Sequence, residues 1–137
     1  MKKLKILNFI TLLFIIVLEI LPWGAVCNFK AGPSSAASEV RKTFSYFDLT
    51  PFGYANVGPF LTAILSCIIA LLLVVALFIT IKKPYINAIF TLSVAALITS
   101  IAPMFYGLHF YSITGMIISL LILVSIVLCI LMKARIR

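Results

Sequence analysis

Four long apolar runs alternate with polar segments along this chain, at residues 4–21, 59–81, 84–106 and 111–132. Each run is close to the ~20 residues that an α-helix needs to cross roughly 30 Å of hydrocarbon. The breaks between the last three runs are short, which favours antiparallel neighbours. The pattern predicts an all-α membrane protein, a single domain of four transmembrane helices in an up-down bundle. One long outer loop, residues 22–58, follows the first helix.

The first run reaches the length of a membrane span once Lys3 and Trp23 are counted as interface anchors. A charged start followed by an apolar core also fits a cleaved signal peptide. Cleavage needs small residues before the cut, however, and Pro22 and Trp23 occupy those positions. We therefore expect this run to remain in the protein as a helix.

Polar residues inside the runs follow helical spacing. In the first run Asn8, Thr11, Ile15 and Glu19 recur every three or four residues and share one stripe of a helix. An amide or carboxyl that faces acyl chains has no partner, so this stripe is expected to face other helices. The later runs carry seams of small or polar residues, which allow close helix packing. Their members are Thr62, Ser66 and Ala70; Asn87, Thr91, Ala95 and Thr99; and Ser112, Gly115 and Ser119.

Two prolines are expected to shape the helix ends. Pro59 fits the first position of the second helix, where its missing N–H has no consequence. Pro103 falls in the last turns of the third helix, where its ring should kink the helix and free the carbonyl of Thr99.

The outer loop changes character along its length. Gly32 and Pro33, followed by the small residues 34–38, predict a turn and a flexible loop. Residues 43–54 are dense in aromatic side chains, which are expected to cap the bundle, to lie at the outer membrane interface or to form a binding surface. The candidate outer binding surface consists of Trp23, Phe44, Tyr46, Phe47, Phe52 and Tyr54.

Composition and charge support the membrane interpretation. Of the 137 residues, 64% are hydrophobic and only 10% are charged, far from the balance of a soluble domain. The net charge of +8 is spread over clusters that flank the runs, so no nucleic-acid partner is expected. The segments assigned to the inside hold eight of the eleven lysines and arginines and no acid. The positive-inside rule then predicts a cytoplasmic-membrane protein with both termini cytoplasmic.

Few residues could carry chemistry. Glu19 is the only acid inside a run, and it could be a proton or ion site, reach the interface, or pair with Arg41 or Lys42. His109, the only histidine, could titrate with external pH and approach Glu19. The candidate intramembrane polar or ion site consists of Glu19, Asn8, Thr11, Asn87, Thr91 and His109.

No motif for catalysis or cofactor binding stands out. The three cysteines lack CxxC spacing and are expected to be free thiols, with a Cys27–Cys67 disulfide as the alternative. Metal-ligand spacing, glycine-rich phosphate loops and nucleophile elbows are also missing from the sequence. We therefore predict no metal, no cofactor and no enzymatic activity.

Trp23-Gly24, the aromatic block 44–54 and the abundance of Ile and Lys resemble small four-helix multi-pass membrane proteins of Gram-positive bacteria that have no known activity. This resemblance implies a location in the cytoplasmic membrane and no particular activity. An acid in the first of four helices is also similar to the small multidrug resistance transporters. The long outer loop and the strong charge bias depart from that family, so nothing is carried over from it.

Two functional hypotheses follow, and both have the lipid bilayer as a partner. The first is a non-enzymatic accessory or interaction subunit, which forms a homo-oligomer or joins a larger membrane complex. The alternative is a small oligomeric transporter or channel, in which Glu19 and the polar stripes line the path.

Overall fold

The computed structural model describes residues 2–30, 39–49, 54–80 and 82–136. Within these residues the chain is mostly helical, with four α-helices, two short 3₁₀ segments and a two-stranded sheet. In chain order the elements are α1 (Lys2–Ile20), β1 (Ala25–Lys30), β2 (Glu39–Phe44), α2 (Tyr54–Phe78), α3 (Lys83–Ile101), the 3₁₀ segments Ala102–Tyr106 and Leu108–Phe110, and α4 (Ile113–Ala134).

The four helices form a closed ring. Each helix packs against the next one in the chain, and α4 packs back against α1. The sheet lies where α1 ends and α2 begins, and we call this the hairpin end of the bundle. The opposite end carries the start of α1, the α2–α3 connection and the end of α4. This arrangement agrees with the predicted up-down order.

Three of the described helical segments are long and apolar enough to cross a membrane: Asn56–Phe78, Lys83–Tyr106 and Ile113–Ala134. Many of their large apolar side chains point away from the bundle and are exposed, as lipid-facing residues would be. By contrast, α1 has 19 residues and carries four charged side chains, Lys2, Lys3, Lys5 and Glu19, which is more than any of the other three helices.

The buried face of α1 follows the predicted polar stripe closely. Its buried residues are spaced at three or four positions, and they are Lys5, Asn8, Leu12, Ile15 and Glu19. Thr11, which was expected on this stripe, is only half-buried and donates its hydroxyl to the carbonyl of Leu7. The stripe is therefore correct for three of its four predicted members, and it also includes Lys5.

The seams of α2 and α4 are buried as predicted, whereas the seam of α3 is buried only in part: Ala95 and Thr99 are half-buried, and the Thr99 hydroxyl lies 2.8 Å from the Thr62 hydroxyl of α2. Thr62 and Ser66 on α2 are fully enclosed, and Ser119 on α4 is 8% exposed. On α3, however, Asn87 and Thr91 are exposed. The helix instead buries a different stripe, Ile86, Ile89, Ser93, Ala96 and Ser100. That stripe includes Ser100, whose hydroxyl is 2.7 Å from the Ser119 hydroxyl of α4. On the exposed stripe, the Thr91 hydroxyl donates to the Asn87 carbonyl of the same helix.

Pro59 and Pro103 both lie at the hairpin end of the α2–α3 contact. The helix α2 begins at Tyr54, so Pro59 lies inside the helix and not at its start. A Cβ added at Gly58 would lie 2.7 Å from the carbonyl oxygen of Thr99, so glycine allows the two helices to approach closely here. As predicted, the regular helix breaks next to Pro103: α3 ends at Ile101 and a 3₁₀ segment follows.

The segment that was predicted as a long loop contains an antiparallel hairpin. Strands β1 and β2 pair in register from Ala25 opposite Phe44 to Lys30 opposite Glu39, and a further bond joins the Gly24 N–H to the Phe44 carbonyl, at 3.1 Å. The predicted turn at Gly32 and Pro33 and the small residues 34–38 lie outside the described residues. The hydrophobic pattern does not reveal β1, because a half-buried strand should bury every second residue. Instead, β1 buries three consecutive residues, Ala25, Val26 and Cys27.

Candidate functional site

A single buried carboxyl lies at the hairpin end of the bundle. Glu19, in the last turn of α1, is 0% exposed. Its Oε1 atom accepts a hydrogen bond of 2.8 Å from the hydroxyl of Ser66 on α2. Its Oε2 atom is buried and has no hydrogen-bond partner in the protein. Such atoms are rare because leaving a buried polar atom unpaired costs about 1–3 kcal/mol.

The chain that follows β2 is bonded to the main-chain carbonyl of Glu19. The last turn of a helix leaves carbonyls without partners, and here the Glu19 carbonyl accepts from the Tyr46 N–H and from the Ser45 hydroxyl, both at 2.9 Å. The turn itself is tied by Asp48, whose carboxylate accepts from the Ser45 N–H at 3.1 Å. We call residues 45–48 the covering turn. It joins the hairpin to the end of α1 through the main chain of Glu19, and the Tyr46 side chain lies near the Glu19 carboxyl.

Tyr46 anchors the covering turn in the bundle. It is 1% exposed and is among the largest fully buried side chains. Added Cβ atoms show how closely it is packed: one at Gly24 would lie 2.6 Å from its ring, and one at Gly115 would lie 3.0 Å from its hydroxyl. Burial raises the pKa of Tyr46, so its phenol stays neutral. The prediction of Tyr46 as part of an exposed binding surface is therefore wrong, because glycines on both sides make room for it.

Hydroxyl groups from three parts of the chain meet around Tyr46. The Tyr46 hydroxyl lies near the hydroxyl of Ser100 of α3, and the Ser100 and Ser119 hydroxyls are 2.7 Å apart. Ser119 in turn lies 2.6 Å from the Tyr111 hydroxyl. Ser112 adds a second tie, because it caps α4 and donates to the Gly24 carbonyl. These bonds connect the hairpin end of α3 and α4 to the covering turn.

Cys27 connects β1 to α2. Its thiol donates to the side-chain oxygen of Asn56, at 3.0 Å. Burial raises the pKa of Cys27, so the reactive thiolate is disfavoured. Cys67 and Cys129 are also free thiols, and the structure therefore agrees with the prediction of no disulfide.

Two further polar groups of α1 are satisfied towards the opposite end. Asn8 accepts from the Ser125 hydroxyl at 2.7 Å and donates to the Cys129 sulfur at 3.4 Å, both on α4. Lys5 is 9% exposed and donates to the carbonyls of Ala76 and Ile79, at 2.7 and 3.0 Å. A cation suits this position because helix C-termini carry partial negative charge.

The structure does not bring the predicted polar site together. Glu19 and Asn8 are buried on α1 but lie about 16 Å apart by the rise per residue. Asn87, Thr91 and His109 are exposed. The expectations that Glu19 reaches the interface or pairs with a cation are also wrong: it is fully enclosed, and its side-chain bond is to Ser66.

The predicted outer surface is only partly exposed. Trp23 is 60% exposed and Phe47 is 38% exposed, whereas Phe44 is half-buried and packs against the core. Phe52 and the side chain of Tyr54 lie outside the described residues. Arg41, on the same side of the molecule, donates to the Tyr111 carbonyl at 3.4 Å.

Sequence reasoning missed the residues that surround Glu19 and Tyr46. Ser66 was recognised only as a small seam residue, and Ser45 and Ser100 were not recognised at all. A signal for Ser100 exists in the sequence, because Ser93, Ala96 and Ser100 also form a small-residue stripe at helical spacing. The contact with Ser45 has no sequence signal, since it depends on how the hairpin folds over α1.

The chemical capacity of the site is limited to one acid with hydroxyl neighbours. In the described part of the chain no group of three or more His, Cys, Asp or Glu residues could hold a metal ion. Glu19 can therefore bind a proton or donate and accept hydrogen bonds.

Taken with the three apolar segments, the fold is compatible with a membrane protein. Comparison of the chain with family models, with curated proteins and with solved structures finds no match.

Proposed function

We propose that this chain is a non-enzymatic interaction subunit of the cytoplasmic membrane. In this proposal all four helices span the bilayer, with both termini cytoplasmic. The protein docks through the exposed face of α3 onto another membrane helix, which belongs to a second copy or to a larger complex.

The polar face of α3 carries the proposal. Asn87 and Thr91 are exposed on the outside of the bundle, one helical turn apart, and Ala88 beside them is exposed as well. In a bilayer an amide that faces acyl chains lacks partners, whereas small and polar residues promote close contact between helices. The seams of α2 and α4, by contrast, are already buried within the protein. They pack its own helices and are not free for a partner.

The position of the cations supports the orientation. Six exposed cations lie at the opposite end of the bundle, namely Lys2, Lys3, Lys82, Lys83, Lys133 and Arg135, whereas the hairpin carries the exposed Arg41 and Lys42. The positive-inside rule would place this end in the cytoplasm and the hairpin outside. If α1 spans the membrane with the other three helices, its polar side chains are satisfied inside the bundle, apart from Oε2 of Glu19.

The separation of the reactive side chains supports a non-enzymatic role. An enzyme site would need several convergent polar groups. Glu19 is buried, whereas His109 and Asn87 are exposed. The same separation weakens the alternative of a transporter or channel, because the polar stripes of α1 and α3 do not face one common path within the bundle.

Association is tested by native mass spectrometry of the protein in nanodiscs, together with disulfide crosslinking of Thr91→Cys in native membranes. The proposal predicts an oligomer or a stable complex, and it predicts that Asn87→Leu with Thr91→Leu abolishes the association. The matched control is Ile64→Ala with Ile68→Ala, because these residues are exposed on α2 at the same spacing. A strictly monomeric wild-type protein that co-purifies with nothing would refute the proposal.

A further inference from the structure

We propose that Glu19 is a proton-binding site that exchanges its proton with the outer side of the membrane. The proton state of Glu19 then sets how firmly the covering turn holds the end of α1. This inference relies on the proposed orientation of the bundle but not on the association through α3.

The geometry around the carboxyl favours a neutral acid. Glu19 is completely enclosed, one of its oxygens has a single hydrogen bond from Ser66, and the other has no partner in the protein. A carboxylate in this position would be a buried charge with one hydrogen bond, which is far more costly than a buried neutral group. A neutral acid needs no counter-ion, and burying its O–H costs less desolvation free energy than burying a full charge.

The nearby groups offer no compensating cation. Among the described residues, the titratable groups that face Glu19 are Tyr46 of the covering turn and Cys67 of α2, both of which are acids. On its own helix, Lys5 lies about 21 Å away by the rise per residue and is bonded to the end of α2. Lys42 is exposed, and Arg41 is bonded to the Tyr111 carbonyl.

The route for the proton leads to the hairpin end. Glu19 is in the last turn of α1, and the covering turn lies above it. Phe47 and Asp48, at the end of this turn, are exposed. Opening the turn would break the bonds from Tyr46 N–H and Ser45 hydroxyl to the Glu19 carbonyl, and water would reach the carboxyl. The proton then passes from the carboxylic acid to water and leaves a carboxylate.

The same contacts link the proton to the position of the turn. The closed form holds the neutral acid, whereas the open form can hold a hydrated carboxylate. Because the closed form binds one proton more than the open form, raising the pH must favour opening. The opening equilibrium rises by up to tenfold for each pH unit over the range in which the open form is ionised and the closed form is still neutral, and it is constant outside that range.

Carbon-13 NMR on the full protein in nanodiscs tests the charge state directly. The chain contains only two glutamates, Glu19 and Glu39, so glutamate labelling gives two side-chain carboxyl signals. Glu39→Gln leaves the Glu19 signal alone and assigns it. The proposal expects the signal of a neutral acid at pH 7, and its titration in sealed vesicles should follow the outer pH. A carboxylate signal at pH 7, or titration that follows only the inner pH, would overturn the proposal.

Hydrogen exchange of the Tyr46 amide tests the link to the covering turn, because this amide donates to the Glu19 carbonyl. After correction for intrinsic exchange, the wild type should lose protection as the pH rises, up to tenfold per unit. Glu19→Gln, which cannot ionise, should keep its protection constant, and Glu39→Gln should behave like the wild type. If Glu19→Gln does not fold, Ser66→Ala serves as the second variant and should shift the titration of the Glu19 carbon signal. Protection that does not vary with pH in the wild type contradicts the link.

Discussion

At the scale of single residues, Tyr46 shows why an aromatic residue in a loop need not belong to the surface. Its ring occupies a space that exists because Gly24 has no side chain, and its hydroxyl lies beside Gly115 of α4. The two glycines are far apart in the sequence, so no local pattern reveals that they frame the same side chain. Phe47, the next residue, is exposed. Only the folded hairpin distinguishes the two.

Gly24→Ala is predicted to destabilise the protein through Tyr46. The structure gives Gly24 no positive φ, so alanine fits the backbone, but its Cβ would lie 2.6 Å from the tyrosine ring. Overpacking of this kind costs about 1–3 kcal/mol. The free energy of unfolding of the variant and of the wild type is measured in the same detergent, with circular dichroism as the signal of unfolding.

A double-mutant cycle isolates the contact. In a Tyr46→Ala background the ring is gone, so Gly24→Ala should then cost close to nothing. Tyr46→Ala alone should cost roughly 3–5 kcal/mol, as for other buried aromatic residues, whereas Phe105→Ala should have little effect because Phe105 is 85% exposed. Equal costs of Gly24→Ala in both backgrounds would contradict the proposed clash.

At the scale of helices, Lys5 joins the start of α1 to the end of α2. The sequence places it among the flanking cations, and the positive-inside rule treats all of these alike. Lys5 differs from its neighbours because it lies one turn before Asn8 on the buried stripe of α1. Its ammonium therefore reaches the free carbonyls of α2.

Lys5→Met should destabilise the bundle, because methionine keeps most of the side-chain volume and removes both hydrogen bonds. Bonds to a charged group contribute about 1.5–3 kcal/mol. Lys3→Met is the matched control, since Lys3 is exposed on the same turn, and it should change the unfolding free energy little. Similar effects of the two substitutions would show that the contacts of Lys5 with Ala76 and Ile79 contribute nothing of their own.

Helices and their spacing were predictable from the sequence, but the face that each helix buries was predictable only in part. A single polar stripe defines the buried face of α1, and the prediction is correct apart from Thr11. On α3 two stripes of small or polar residues compete, and the sequence alone favoured the one with Asn87 and Thr91. The packing partner decides between them, because Ser100 meets Ser119 of α4.

The candidate site was predictable to the extent of Glu19 and its burial with the polar stripe. Its partner Ser66 was predicted only as a small seam residue of α2. Ser45 and Tyr46 were not predictable as neighbours, because the hairpin places the turn that carries them. A hairpin needs alternating strands or a clear turn to be recognised from sequence. Here three consecutive residues of β1 are buried, because β1 packs against both α2 and the 3₁₀ segment Leu108–Phe110.

At the scale of the whole molecule, charge is segregated along the bundle axis. Among the described residues, seven cations belong to segments at the opposite end, and all three acids belong to segments at or near the hairpin end. If each of the three apolar segments crosses a membrane, an odd number of crossings separates the hairpin from the end of α4. The side on which the chain begins then depends on α1 alone. The topology of the whole protein therefore rests on whether this helix crosses the membrane.

Cysteine labelling with a membrane-impermeant maleimide decides this point. Single cysteines are placed at Lys3, Thr43, Lys82 and Arg135 in a background without the native cysteines, and intact cells are compared with permeabilised ones. Thr43→Cys, on the exposed side of β2, should react in intact cells, and the other three should react only after permeabilisation. Labelling in detergent controls for thiol reactivity. Reaction of Lys3→Cys in intact cells would place the start of α1 outside. Both ends of α1 would then lie on the same side as the hairpin, so α1 would not cross the membrane and the prediction of four spans would be wrong.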